Sequence, residues 1–117
     1  MEVEWYKCQG NIWCELNKLD INHEFLDGLS GVYILWYGSK DERTVLRVGM
    51  GEIREELENN INDIAVQAFA KYTLQVSWAE VPFFRRKGIL NWLSLKLTPK
   101  FFGELSKTKP IEVNLPW

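Results

Sequence analysis

The chain has 117 residues, 46% hydrophobic and 26% charged, the size and balance of one domain that buries a core without metal or disulfide support. No apolar run approaches the roughly 18 residues of a membrane span, and the start, MEVEWYKCQG, has no basic segment leading into an apolar one, so neither a membrane partner nor a secretory leader is expected. The net charge of −2 divides unevenly: residues 1–80 carry 7 Lys+Arg against 14 Asp+Glu, and residues 81–117 carry 7 against 2, which excludes a uniform nucleic-acid coat but allows a basic face in the last third.

Residues 1–30 are the least regular part. Glu2–Tyr6 alternates weakly, as an edge strand does, while Trp13, Leu16, Leu19 and Ile21 follow no clean period. Cys8 and Cys14 make no CxxC pattern and have a single histidine, His23, nearby, so a reduced pair in a cytoplasmic protein is expected. His23 stands without a ligand or nucleophile at a recognisable spacing and reads as a surface or hydrogen-bonded histidine. The whole stretch reads as a cap or extra edge.

Val32–Tyr37 and Thr44–Val48 are β-branched and aromatic, bounded by glycines and joined by a polar connection, which predicts a hairpin. The second strand is expected to break at Gly49-Met50-Gly51. Glu52–Glu58 then reads as a helix with an Ile53–Leu57 apolar pair, and its acids oppose phosphate binding at that helix start. Asn59-Asn60 weakens or ends it. Ile61, Ile64, Ala65, Ala68 and Phe69 suggest a second short helical piece, and Leu74–Val81 alternates as a half-buried strand stopped by Pro82.

Phe83–Leu97 is the strongest helix, with Phe84, Ile89, Leu90, Leu93 and Leu97 on one broad stripe and Arg85, Arg86 and Lys87 in its first turns. Gly88 costs about 1 kcal/mol inside a helix and so marks a close contact. After Thr98-Pro99 the remainder is expected to lie extended over the body. The sum is one α+β domain, a small, mostly antiparallel three-stranded sheet flanked by helices in β-β-α-β-α order, with an N-terminal extension.

Gly31-Val32-Tyr33, a second strand ending Arg47-Val48-Gly49, a helix, a third strand and a helix ending at Pro99 together resemble a GIY-YIG nuclease domain over about residues 31–114. The Pro110–Pro116 ending is similar to that of small members. The resemblance implies a phosphodiester-cleaving site of two tyrosines, a helical arginine and a glutamate holding one Mg²⁺ or Mn²⁺. Such chemistry needs a base, a positive group at the phosphate and a carboxylate on the metal. Tyr33 matches the first tyrosine and Gly49 the second-motif glycine. Arg47 stands in the second tyrosine's place and Glu56 in the arginine's, with Arg54 two residues away and turned by about 200° on a helix. Asn60 occupies the place of a polar helical residue. Leu90 takes the place of the metal glutamate, and no carboxylate lies between Val81 and Phe102.

The implied domain has therefore lost the cutting reaction, with no metal site and no cofactor expected, and is retained for binding DNA or RNA through Arg47, Arg85, Arg86 and Lys87. Two other readings stand beside it. One is an active endonuclease with relocated acids drawn from Glu56, Asp63 or Glu80. The other is a protein-interaction module in which Trp36, Trp92 and Trp117 line a partner surface. An Arg47–Glu56 ion pair across the former cleft is a further expectation.

Overall fold

In the computed structural model, which describes residues 1–117, the two apolar runs pair as a long hairpin, β2 (Ser30–Ser39) and β3 (Glu42–Glu52). β4 (Gln75–Glu80) joins antiparallel on the other side of β2, and the two-residue β1 (Cys14–Glu15) joins β4, so the order is β1-β4-β2-β3. The sheet is four-stranded rather than three-stranded, because Cys14–Glu15 supplies an edge that carries no period-two pattern of its own. Glu2–Tyr6, read as an edge strand, is not one. A single backbone bond ties it to β4, from Tyr6 N–H to the Trp78 carbonyl at 2.8 Å. Its other polar groups are taken by the tail: the Asn114 side chain exchanges hydrogen bonds with the Val3 backbone, and Trp5 Nε1 donates to the Asn114 carbonyl at 2.8 Å.

β3 does not break at its glycines. Gly49, Met50 and Gly51 continue the ladder opposite Tyr33, Val32 and Gly31. Gly49 serves its neighbour rather than a turn, since a Cβ there would lie 2.5 Å from the Tyr33 ring.

α1 (Ile53–Ile61) runs on through Asn59-Asn60, and Asn60 Nδ2 donates back to the Glu56 carbonyl at 2.8 Å, so the asparagine reinforces the turn it was expected to end. α2 (Ile64–Gln67) is one turn, capped by Asp63 Oδ1, which accepts from the N–H groups of Ala65 and Val66. α3 (Phe83–Leu97) has the bounds that Pro82 and Thr98-Pro99 predict.

Period-two alternation along β2 divides the core in two. Tyr33 and Leu35 pack with Ile53, Leu57, Val66 and Trp78 on one face. Val32, Ile34 and Trp36 pack with Ile89, Leu93 and Val113 on the other. Helices α1 and α2 thus cover one face, and α3 with the C-terminal tail covers the opposite one. The apolar stripe of α3 begins later than its sequence suggests, because Phe83 and Phe84 are 72% and 75% exposed.

The tail runs along β3, with Lys100 and Phe101 N–H groups donating to the carbonyls of Val45 and Leu46, and then crosses α3. Gly88 is the crossing point. A Cβ there would sit 2.6 Å from Ile111 Cδ1, and the Ile111 N–H donates to the Gly88 carbonyl at 3.0 Å.

Two further expectations are corrected. Cys8 and Cys14 are joined in a disulfide rather than free, with Cα atoms 5.2 Å apart. The chain doubles back between them through positive φ at Gly10 and Asn11 and a Cys8–Ile12 bridge, which brings the thiols together without any CxxC spacing. Trp36, Trp92 and Trp117 do not form a partner surface: Trp36 is 3% exposed, Trp92 packs on the same core, and Trp117 covers Trp36 edge-on at 5.2 Å. No helix is long and apolar enough to cross a membrane.

Candidate functional site

Strand register assembles the polar site. Tyr33 lies opposite Gly49 and Leu35 opposite Arg47, which puts Arg47 on the face that Tyr33 uses, beneath α1. Glu56 and Asn60, one turn apart on α1, approach that same face, and Asp63 follows immediately after the helix.

Asn60 is the hub. It is 2% exposed; its Nδ2 donates to the Tyr33 hydroxyl at 3.0 Å, and its Oδ1 accepts from Arg47 Nη1 at 2.7 Å. Arg47 Nη1 also donates to Asp63 Oδ2 at 3.0 Å, and its guanidinium lies over the Phe101 ring, 5.2 Å from the centroid. The expected Arg47–Glu56 pair is therefore corrected: Asp63 holds the arginine, and no ion pair joins it to Glu56.

Burial is the largest influence on the phenol and pushes Tyr33 up to about 12, with the donor Asn60 working against it. Tyr33 is thus protonated across the physiological range, a hydrogen-bonding group and not a base. Glu56 is raised above the usual carboxylate range, first by burial and then by the adjacent Glu55. The hydrogen bond from Arg47 holds Asp63 below it.

The Glu56 shift has a stability consequence. Its ionised form is disfavoured in the folded chain, so stability falls as pH rises from the unfolded pKa near 4.5 through the higher folded value. Glu56→Gln, neutral throughout, is expected to melt above the parent at pH 7 and level with it at pH 4. A melting-temperature difference independent of pH would contradict this.

Arg54 is not in this site. Its Nε donates to the Ile21 carbonyl at 2.7 Å, and its Nη2 donates to the His23 carbonyl and pairs with Asp27 Oδ1 at 2.7 Å, so it clamps the N-terminal extension onto α1. His23 Nδ1 accepts from the Phe25 N–H and caps a short turn. Leu90 belongs to α3, which packs on the opposite face of the sheet from Tyr33. Glu80, at the end of β4, makes no contact with the Tyr33 network.

The four cations expected to bind nucleic acid do not share a surface. Arg47 lies under α1. Arg86 is half-buried, its Nε donating to the Val81 carbonyl at 2.8 Å at the start of α3. Arg85 and Lys87 are exposed, and with them are Phe83 and Phe84, whose exposure an apolar-stripe reading hides.

The residue in the place of the metal glutamate, Leu90, offers no oxygen to a divalent metal. No three Asp, Glu, His or Cys side chains converge anywhere in the chain. Of the nearby carboxylates, Asp63 is committed to Arg47 and to two backbone N–H groups. Compared with protein-family models, with curated proteins and with solved structures, this chain matches none.

Proposed function

We propose that this chain is a nuclease-like domain that does not cleave and that binds single-stranded nucleic acid through the first turn of α3. The observation that carries this reading is the pairing there of two exposed phenylalanines with exposed cations. The Arg85 guanidinium lies 5.3 Å from the Phe84 ring centroid. Phe83, Phe84 and Lys87 wall a small cleft of about 200 Å³ with Met50 and Thr108. No acidic residue occupies the first turn, and no side chain caps it, so the positive end of the helix adds to the field of the cations. Rings that bases can stack on, beside charges that meet phosphates, are what sequence-tolerant strand binding requires.

Loss of cleavage is supported by the closed state of the Tyr33 network. Its arginine is engaged by Asn60 and Asp63, and Asp63 is occupied in turn by that arginine and by two backbone N–H groups. The test is binding of a labelled single-stranded oligonucleotide across a salt series. Phe83→Ala with Phe84→Ala is expected to weaken binding about tenfold or more. Arg85→Gln with Lys87→Gln is expected to flatten the log–log salt slope by about 1 to 2. The oligonucleotide should stay intact with Mg²⁺ or Mn²⁺. Absence of binding at low salt, or cleavage that disappears in Tyr33→Phe, would overturn the reading.

A further inference from the structure

At the other end of β4 from α3, next to the hairpin turn, Trp13, Trp36, Lys40, Arg43 and Gln75 wall an open cleft of about 380 Å³, near the lower end of the range for small-molecule sites. The register places Gln75 beside Trp36 and Arg43 beside Gly38, so three strands bring these side chains to one face. Trp13 stands edge-on to Trp36, 6.1 Å between centroids. The Arg43 guanidinium lies between two indoles, 5.3 Å from Trp36 and 4.6 Å from Trp117, with Nη1 donating to the Lys40 carbonyl at 3.0 Å.

Two polar atoms in this wall are out of water and unpartnered: Arg43 Nε, a donor, and Gln75 Oε1, an acceptor. The indole of Trp36 is satisfied by Ser77 Oγ at 3.3 Å, so the deficit in this wall falls on these two atoms. The chain's remaining orphan of this kind, Trp78 Nε1, belongs to the core on the opposite face. Buried groups left without partners carry an uncompensated desolvation cost, which a ligand with the complementary pair relieves.

We infer that this cleft binds a nucleobase. A base is planar and fits against the half-buried Trp13 indole in the cleft wall, and its edge carries both acceptors and donors, the kinds of partner that Arg43 Nε and Gln75 Oε1 lack. Lys40 in the wall and Lys7, whose ammonium sits 4.4 Å over the Trp13 ring, supply positive charge for an attached phosphate. Glu15, also in the wall, is paired with Lys18 at 3.4 Å. Uptake requires the Arg43 side chain to shift from under Trp117, an exposed ring that meets it by face contact.

Calorimetric titration of the full chain tests this with AMP, with ribose 5-phosphate as the base-free control and with a short single-stranded oligoadenylate. AMP is expected to bind and ribose 5-phosphate to give no heat. Gln75→Met and Arg43→Lys should each weaken AMP about tenfold. Arg43→Lys keeps a cation between the indoles while deleting Nε, and an unchanged melting temperature in that variant separates lost recognition from lost folding. Oligoadenylate binding that is tighter than that of AMP and weakens in Gln75→Met identifies a base within a strand as the ligand, and binding of AMP alone identifies a free nucleotide. Equal binding of ribose 5-phosphate, no AMP binding at millimolar concentration, or unaltered affinity in both cleft variants would overturn the inference.

Discussion

Gly31→Ala is expected to destabilise the chain by about 3 kcal/mol or more, toward the upper end of overpacking costs, and to lower its melting temperature by at least about 10 °C. Gly31 sits in the central strand, paired with Gly51 on one side and Glu80 on the other. A Cβ at this position would overlap the Ala79 carbonyl oxygen and come within 2.9 Å of the Val81 backbone nitrogen. Neither atom belongs to a side chain that could rotate away. Relief requires β2 and β4 to separate locally, at the expense of the Val81 N–H bond to the Ser30 carbonyl. Urea melts of the two proteins check this, and a loss below about 1 kcal/mol would show that the sheet end yields more easily than its geometry allows.

Asn60→Leu is the second large effect, expected at about 1–3 kcal/mol because the buried Tyr33 hydroxyl loses its donor and the half-buried Arg47 keeps only Asp63. Leucine fills a similar volume, so the loss is electrostatic and not a cavity. It leaves the Tyr33 hydroxyl without its donor and removes the closest acceptor of Arg47. A double-mutant cycle isolates the cause. Arg47→Met should cost less in the Asn60→Leu background than on its own, because Arg47 has there already lost its shorter bond, to Asn60. Strictly additive costs would mean that Asn60 acts only through its helical bond to the Glu56 carbonyl.

Both predictions rest on positions whose residue type is visible in the sequence and whose reason is not. The Gly31-Val32-Tyr33 run announces a strand, but the need for glycine comes from Ala79 and Val81, almost fifty residues away. Asn60 reads as a helix-weakening residue because its neighbours are polar, yet three of its hydrogen bonds turn it into an internal fitting. Arg47 shows the same gap. Its choice of Asp63 over Glu56 depends on where α1 ends and α2 begins, a detail of one turn that no spacing argument resolves.

Local punctuation was legible wherever it was chemical. Pro82 and Thr98-Pro99 bracket α3 to the residue, alternation locates β4, and a β-branched and aromatic run between glycines locates β2. Legibility failed where a residue had two uses. The glycines after Val48 were read as a break because glycine often ends strands, whereas here they make room for Tyr33 and the strand continues to Glu52. Phe84 was placed on the buried stripe because hydrophobic residues at helical spacing usually are buried; the sheet beneath α3 begins its contact only at Gly88 and Ile89. The Cys8–Cys14 disulfide escaped because its cause is a left-handed reversal at Gly10 and Asn11, not a motif.

The sequence by itself determined the class of this domain, the order of its main elements and the imbalance of charge between its two parts, since these follow from periodicity, breakers and composition along the chain. Only the tertiary structure decided which residues meet. It added a fourth strand, sent Arg54 to the N-terminal extension, closed Tyr33, Asn60, Arg47 and Asp63 into one network, and left Arg43 Nε and Gln75 Oε1 unpaired. Contacts between residues far apart in the chain depend on strand register and on the face each helix turns inward. A one-residue change in either moves a side chain to the other side of the sheet.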